Sequence, residues 1–268
     1  MRKLVNQMIT NLLNRYPKWI CRREFESQAF TRFNERPIEF GFVFKKLGEI
    51  YPRTILDVGT GTTALPHLMR KCGCLVTATD NVRDYWPSGM LNRHYHVIDD
   101  DITATRLTDT FDLITCISVL EHIQQPDDAI RNMFSLLKPN GYLILTFPYN
   151  ERSYVRNVYE LPGASYGQGA PYITQSYSRS ELERWLKENH GTIVDQEYWQ
   201  FWEGDHWIVD KQVIPPRSVT SEDKHQLTCI LMRKANRGEG RCLTVPLHTT
   251  HRAGPQWAVR RNHCALAG

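Results

Sequence analysis

The chain has 268 residues, of which 41 % are hydrophobic and 23 % are charged, and its formal net charge is +4 at pH 7. This length suits one α/β domain with additions, and no run approaches the roughly 20 apolar residues that a membrane-spanning helix needs. The mild charge argues against a nucleic-acid partner. Seven scattered cysteines argue against a disulfide framework, and the N-terminus lacks a secretory-signal pattern, so we expect a cytoplasmic location.

Residues 1–35 are predicted to be helical. Apolar side chains recur at steps of three and four and form one stripe, made of Leu4, Val5, Met8, Ile9, Leu12, Leu13, Tyr16 and Ile20. All charges up to Arg23 are positive. Such a helix either packs its stripe on the core or lies on an anionic surface such as a membrane face. Because these stripes usually mean core, we favour packing, and we assign residues 1–50, with a second helix at 38–50, to an N-terminal helical cap.

From Thr54 onward, short apolar runs alternate with helical segments, which is typical of βαβ units and a parallel sheet. The runs predicted as strands are 54–58, 74–80, 95–99, 111–118 and 141–148, with helices at 63–73 and 126–138. These elements belong to a predicted cofactor-binding domain that spans residues 51–234.

The second half of this domain differs in composition and in its pattern of apolar residues. Residues 149–177 are rich in tyrosine, glycine and proline, and we predict that they form a lid insert that shapes acceptor specificity. Ser178 and Glu181 predict a capping box that opens a helix. Two late strands follow, 192–202 and 225–234, separated by a loop with two prolines. Residues 235–268 show no sustained period and are predicted to be a peripheral or disordered tail.

A glycine-rich turn follows the first predicted strand. Asp57 closes this strand, Gly59 and Gly61 follow it, and Asp80 closes the second strand. Glycine lets a ligand approach the backbone, the next helix turns its N–H groups toward the ligand, and an acid after the second strand can accept both ribose hydroxyls. Because Gly59-x-Gly61-x-x-Ala64 also satisfies the dinucleotide fingerprint, the turn alone suits either a nicotinamide cofactor or S-adenosylmethionine.

Three features favour S-adenosylmethionine. Asp57 suits a ligand with a free ammonium group, and Asp101 with Ile102 offers a carboxylate and an apolar contact for an adenine edge. The chain also ends in two late strands rather than in the second half of a dehydrogenase. An NAD(P)-dependent oxidoreductase and a non-catalytic cofactor-binding module remain the alternatives.

Five phrases carry a resemblance to a known family. They are D57-V-G59-T-G61, D80-N81, D101-I102, FDLITCISVLEHI (111–123) and LKPNGYLILTFP (137–148). Together they resemble the class I S-adenosylmethionine-dependent methyltransferases of the small-molecule type. The resemblance implies an α/β, Rossmann-like, seven-stranded and mostly parallel sheet of order 3-2-1-4-5-7-6, with an antiparallel strand 7 and helices on both faces.

The resemblance also implies roles for individual residues. Asp57, Gly59 and Gly61 would line the methionine end of the cofactor, and Asp80 with Asn81 would hold the ribose hydroxyls. In the same way, Asp101 and Ile102 would flank the adenine, while Ser118 and Val119 would face the methionine moiety or the acceptor. The family often has a third glycine at the position of Thr63. The β-branched side chain of Thr63 would narrow the loop near the carboxylate of the cofactor's methionine moiety.

The acceptor is predicted to be a small molecule with a hydroxyl or amine group, of aromatic, sugar-like or lipid-linked type. Glu121 and His122 follow the fourth strand, and His122 is the first candidate for a base because imidazole titrates near neutral pH. A local packing role for His122 is equally open. Some family members place a metal on Glu-x-x-Glu-His, but Ser118 replaces the first acid, so we predict no metal.

A second polar group lies in an aromatic stretch and comprises Glu203, Asp205 and His206. It forms either a wall of the acceptor pocket or a loop that caps the core. The sequence makes no prediction about the oligomeric state.

Overall fold

A computed structural model describes residues 2–26, 34–61, 63–81 and 95–236 of the chain. The tail predicted at 235–268 lies outside the described residues from position 237 onward, so its assignment stays a prediction. The division into a cap at 1–50, a domain at 51–234 and a lid insert at 149–177 also stays a prediction.

The described part of the chain is built around one eight-stranded sheet. Its strands are β1 (Thr54–Val58), β2 (Leu75–Asp80), β3 (Val97–Asp99), β4 (Phe111–Ile117), β5 (Leu137–Pro148), β6 (Gly191–Trp202), β7 (Gln212–Val219) and β8 (Leu227–Lys234). Their order is β3-β2-β1-β4-β5-β8-β6-β7. The first five strands run parallel, and β8 pairs antiparallel with both β5 and β6. The predicted fold class and strand order are therefore confirmed, with one strand added.

The added strand corrects the prediction of a loop around Pro215 and Pro216. These two prolines lie in β7, which pairs antiparallel with β6 and forms one edge of the sheet. Proline lacks the N–H that a central strand must donate, so a sequence with two prolines does not look like a strand. On an edge, one side of the strand needs no partner, and the prolines are tolerated there.

The described helices are α1 (Arg2–Leu13), α2 (Arg15–Glu26), α3 (Arg36–Ile50), α4 (Leu65–Lys71), α5 (Pro126–Leu136) and α6 (Arg179–Asn189). Four of them, α3 to α6, pack on the two faces of the sheet. Ile55 of β1 packs in a cluster with α3 and α4, whereas its neighbour Leu56 packs in a cluster with α5 and α6. This alternation buries both faces of the strand, which explains why the parallel strands read as continuous apolar runs.

Two helices show how the local sequence sets their ends. Helix α6 begins with the predicted capping box, in which the Ser178 N–H donates to the Glu181 carboxylate over 2.9 Å. Helix α3 has Pro37 in its first turn and ends at Tyr51, whose φ is 54°. On its buried face, Lys46 Nζ lies 2.5 Å from Asp195 Oδ2 of β6, which ties this helix to the antiparallel end of the sheet.

The N-terminal helices differ from the favoured expectation. The Asn14 N–H donates to Thr10 O and the Lys18 N–H donates to Asn14 O, so the helical pattern continues across the junction of α1 and α2. However, the described members of the predicted stripe, Leu4 to Tyr16, are between 51 % and 71 % exposed. The prediction that this stripe packs on the core is therefore wrong. Residues 27–33 and the side chain of Ile20 lie outside the described part.

In the described ranges, no helix has both the length and the apolar character needed to cross a bilayer.

Candidate active site

The predicted cofactor residues meet where the parallel strands end. Asp57 of β1 is 2 % exposed, and its Oδ1 accepts a hydrogen bond of 2.6 Å from Thr115 Oγ1. Thr115 is the residue of β4 that lies opposite Asp57 in the sheet. Burial raises the pKa of Asp57 to about 6, although Thr115 and Thr60 donate hydrogen bonds to the carboxylate. A buried carboxylate of this kind is suited to bind an ammonium group, because the positive charge compensates for the hydration that the carboxylate loses on burial.

The turn after β1 needs its two glycines for different reasons. Gly59 has a φ of 69°, and a Cβ at this position would lie only 2.4 Å from Cγ1 of Val119. Gly61 has a φ of 53° with open space where its Cβ would be. Gly59 therefore allows the turn to touch the loop after β4, and Gly61 leaves room for a ligand to approach the backbone.

Asp80, at the end of β2, turns its carboxylate toward this loop. Its Oδ2 accepts a hydrogen bond of 2.5 Å from the Gly61 N–H, and burial raises its pKa. Asn81 follows it and is half-buried. The structure thus brings Asp57, Gly61 and Asp80 to one loop, as the motif predicted.

Sequence reasoning missed Tyr95, which shapes this loop together with Thr63. The Tyr95 hydroxyl donates to the carbonyl of Thr63 and lies 3.3 Å from Thr60 Oγ1. Thr63 Oγ1 in turn donates to Thr60 O over 3.0 Å. The β-branched residue in the third-glycine position therefore braces the turn with its own hydroxyl. Tyr95 carried no signal because it lies 32 residues further along the chain.

Asp101 and Ile102 have structural partners. Asp101 is exposed, and its Oδ1 accepts from Thr103 N over 2.9 Å, which caps the short 3₁₀ helix Ile102–Ala104. Ile102 is 7 % exposed and belongs to the core cluster on the α5 side of the sheet. Their contact with an adenine ring stays a prediction.

Ser118 lies directly after β4 in a left-handed conformation, with a φ of 49°. Its Oγ donates a hydrogen bond of 2.5 Å to Oε1 of Glu39, a fully buried carboxylate of α3. Glu39 also accepts from Thr146 Oγ1 over 2.6 Å and from Arg36 over 2.8 Å. A strained residue held by such a network is typical of functional sites. Sequence reasoning did not identify Glu39, although an acid on the apolar face of a helix is the signal that could have found it.

Glu121 lies in the next turn, the 3₁₀ helix Leu120–His122. Its side chain is buried, and Oε2 has no hydrogen-bond partner. Burial, together with the nearby charge of Glu39, raises the pKa of Glu121 well above its ordinary value. Such an unsatisfied buried carboxyl costs stability, and groups of this kind cluster at functional sites.

His122 is held in one orientation and one tautomer. Its Nδ1 lies 2.8 Å from Ile173 O, which can only accept, so Nδ1 carries the proton in the neutral ring. Nε2 then has the free lone pair and lies 4.0 Å from Glu121 Oε1. About a third of the side chain, 35 %, is exposed, and burial of the rest lowers the pKa of His122. The lowered pKa favours the neutral imidazole at pH 7, with the lone pair on Nε2.

The residues 149–177 are built onto the turn that carries Glu121 and His122. The Tyr177 hydroxyl donates to Leu120 O over 2.8 Å, and Gln175 Nε2 donates to Ile123 O over 2.6 Å. Tyr172 packs its ring edge against His122 at a centroid distance of 5.1 Å. This segment thus borders the candidate site, whereas its role as a lid stays a prediction.

The second polar group of the sequence analysis lies at a different place. A cavity of about 230 Å³ is lined by Leu161, Pro162, Gly204, Asp205, His206, Val209, Asp210 and Lys224. None of the predicted cofactor residues lines it. Asp205 pairs with Lys224 over 3.0 Å, and the Glu203 carbonyl accepts from Lys224 Nζ over 2.9 Å. Across the described residues, no set of three or more His, Cys, Asp and Glu side chains is arranged to hold a metal.

Comparison with known proteins agrees with this geometry. A family model described as "Methyltransferase domain" matches residues 25–196. A ubiquinone biosynthesis O-methyltransferase of Coxiella burnetii is 30 % identical over 153 residues, which are 53 % of this chain and 64 % of that protein. The enzyme of the same name from Alkalilimnicola ehrlichii is 32 % identical over 57 % of this chain and 66 % of its own length. Each match thus spans less than two-thirds of the relative.

Among solved structures, the 1,6-didemethyltoxoflavin-N1-methyltransferase of Burkholderia thailandensis, crystallised with S-adenosylhomocysteine, superimposes with a TM-score of 0.49 at 18 % identity. The superposition covers 88 % of this chain and 90 % of that one.

The family model covers more than half of the chain, and the chain therefore belongs to this methyltransferase family. The family match confirms the predicted class, with S-adenosylmethionine as its cofactor. The family match also decides against the nicotinamide alternative for the glycine turn.

Proposed function

We propose that this chain transfers a methyl group from S-adenosylmethionine to a hydroxyl oxygen of a small aromatic acceptor. The observation that carries the proposal is the fixed tautomer of His122, which leaves a basic nitrogen beside the turn after β4. A hydroxyl needs a base when it attacks, whereas a neutral amine does not. The relatives named above as O-methyltransferases support oxygen as the acceptor atom.

The residues around the glycine turn fit the cofactor. Asp57 would face the ammonium group of the methionine end, and Asp80 would receive the ribose hydroxyls. The space beside Gly61 would admit the ligand backbone, because no described residue other than its chain neighbours has an atom within 4 Å of the missing Cβ. When bound, the sulfonium supplies a methyl group that is already activated, so alignment and exclusion of water are the main tasks left to the protein.

His122 would take the proton from the acceptor hydroxyl at Nε2. Because burial lowers its pKa, the ring is unprotonated at neutral pH and ready to accept. The Ile173 carbonyl stabilises the proton on Nδ1 in both the neutral and the charged ring, so the base keeps its orientation through the reaction.

The aromatic cover would select the acceptor. Tyr172 contacts both His122 and Tyr159, with centroid distances of 5.1 Å and 5.9 Å. Flat rings at this position suit an aromatic acceptor, since offset and edge-to-face ring contacts contribute about 0.5–1.5 kcal/mol each.

The test is methyl transfer from methyl-labelled S-adenosylmethionine to matched acceptors that differ only in the attacking atom. We suggest a dihydroxybenzene and the corresponding aminobenzenes, with the product atom identified by mass spectrometry. We expect methylation of the oxygen acceptor and little of the amine. Preferential labelling of the amine would contradict the proposal, and binding of the cofactor without any transfer would favour a non-catalytic module.

The base is tested with His122→Ala and the matched control His67→Ala, which changes a half-buried histidine of α4 and should leave kcat close to that of the parent. We expect His122→Ala to lower kcat by about 10²–10⁴-fold and to leave the Kd of S-adenosylmethionine unchanged. A loss of cofactor affinity with normal turnover would instead assign His122 a structural role.

A further inference from the structure

The exposed stripe of α1 and α2 is an apolar surface that the described protein leaves uncovered. We define it as Leu4, Val5, Met8, Ile9, Leu12, Leu13, Tyr16 and Trp19, each between 51 % and 71 % exposed. At about 100° per residue, these eight side chains fall within about half of the helix circumference. Soluble proteins seldom expose a continuous apolar surface of this extent unless it binds something.

The charges around the stripe have one sign. Every charged residue from position 2 to position 23 is positive, in the set Arg2, Lys3, Arg15, Lys18, Arg22 and Arg23. Both Arg15 and Lys18 are exposed; by helical spacing Lys18 lies beyond the border of the stripe and Arg15 lies just inside it. A helix with an apolar face and basic flanks fits a surface that is apolar inside and negatively charged outside.

The C-terminal part of the stripe carries the aromatic side chains of an interfacial helix. Tyr16 and Trp19 stack at a centroid distance of 6.1 Å, and the Arg23 guanidinium lies 5.0 Å from the Trp19 ring. Tyrosine and tryptophan favour the boundary between hydrocarbon and headgroups because each has an apolar body and a polar tip.

Charge also argues against a second copy of the chain on this surface. Two stripes packed face to face would bring two sets of six like charges together, and the ion pair of Arg22 with Glu26 still leaves each set strongly positive. Like charges at close range destabilise a contact. An anionic lipid surface, in contrast, neutralises the same residues.

We propose that α1 and α2 bind the surface of a bilayer that contains anionic phospholipid, with the exposed stripe in the headgroup region and the basic residues at the phosphates. The helices lie on the membrane and do not cross it, because their apolar side chains occupy only one face. This proposal does not depend on the methyl acceptor, and it holds for any reaction at the glycine turn.

The test is co-sedimentation of the full chain with vesicles of phosphatidylcholine that contain roughly 30 % phosphatidylglycerol, compared with phosphatidylcholine alone. We expect binding to the anionic vesicles that weakens as salt rises, since exposed charges are screened. The apolar variant Leu4→Gln/Met8→Gln/Leu12→Gln and the charge variant Lys3→Gln/Arg15→Gln/Lys18→Gln should each lower the partition coefficient by about 100-fold.

The matched control is Asn6→Gln/Thr10→Gln/Asn14→Gln, which makes three changes on the opposite face of the same helix and should bind as the unmodified chain does. Circular dichroism and the melting temperature of each variant confirm that the fold is kept. Equal binding to neutral vesicles, or full binding by the apolar variant, would overturn the proposal. So would a dimer in sedimentation velocity that the apolar variant abolishes, combined with no vesicle binding, because a second copy would then cover the stripe.

Discussion

Asp57 is a carboxylate that the fold holds inside an apolar strand, where ionisation is costly. Its pKa in the folded protein is about 6, against 3.8 for an ordinary aspartate. At neutral pH the protein therefore carries a buried charge at a cost of up to about 3 kcal/mol. A bound cation can offset this cost by pairing with the carboxylate. We therefore expect Asp57 to destabilise the free protein and to favour binding of a cationic ligand.

We predict that Asp57→Asn stabilises the free protein by about 1–3 kcal/mol at neutral pH and weakens the binding of S-adenosylmethionine. Because the folded pKa is the higher one, the contribution of Asp57 to stability is fully present below pH 3.8 and is lost as the pH rises through about 6. Urea unfolding on both sides of this window, with calorimetry for the cofactor, measures both effects. A variant that is less stable than the parent at neutral pH would show that the carboxylate is not strained.

The two glycines of the turn provide a second prediction. Gly59→Ala must displace Val119, whose Cγ1 would lie 2.4 Å from the new Cβ, whereas Gly61→Ala meets open space. Both adopt a left-handed backbone, which costs about 1–2 kcal/mol for alanine. We expect Gly59→Ala to lose clearly more unfolding free energy than Gly61→Ala, and Val119→Ala to restore part of the difference. Equal losses in denaturant titrations would mean that the loops do not touch.

Only those site residues could be predicted from the sequence whose positions follow from the order of the strands along the chain. Asp57 and Asp80 were found because parallel strands bring their ends to one edge of a sheet. Glu39 and Ile173 could not be assigned as partners, because Ser118 and His122 reach them across 79 and 51 residues. Such contacts depend on how a helix and an insert pack, and no local pattern encodes that packing.

At the scale of the elements, Asp112 connects the amino ends of three strands. Its Oδ2 accepts from Arg53 N and Thr54 N at the start of β1, over 3.0 Å and 2.9 Å. Its Oδ1 accepts from Lys138 of β5 over 2.8 Å. These hydrogen bonds lower the pKa of Asp112 to about 2 despite partial burial. The residue thus aligns the central strands at the edge opposite the site.

We predict that Asp112→Ala destabilises the protein by about 1–2 kcal/mol, after allowance for solvent screening at a partly exposed carboxylate. The folded pKa is here the lower one, so the stabilisation is present above pH 3.8 and disappears as the pH falls toward 2. The difference in unfolding free energy between parent and variant should therefore shrink in acid. A difference that is constant with pH would assign the effect to packing alone.

Strands with continuous apolar runs were predicted within one or two residues, because burial on both faces leaves a clear signature. The exceptions have physical causes. Strand β3 is shorter than its apolar run, and it pairs only with β2. Strand β5 begins at Leu137, inside the helix that was predicted at 126–138 and four residues before the predicted strand at 141–148. Strand β7 was missed because its prolines are compatible only with an edge, and edge position is a property of the whole sheet.

At the scale of the whole molecule, the described core consists of three clusters, none of which includes a residue of α1 or α2. Stability should then be independent of these helices. We predict that removal of residues 1–26 changes the melting temperature by less than about 2 °C, since exposed side chains contribute little free energy of folding. Differential scanning calorimetry at equal protein concentration measures it. A drop of more than about 5 °C would mean that the helices pack on the domain after all.

The two ends of the sheet are also protected in different ways. At one end β3 has only three residues, and at the other β7 carries Pro215 and Pro216. A short strand offers few groups for pairing, and each proline removes a donor, so neither border is a good template for a strand from another molecule. Pairing with a strand of another molecule is therefore disfavoured at both ends of the sheet.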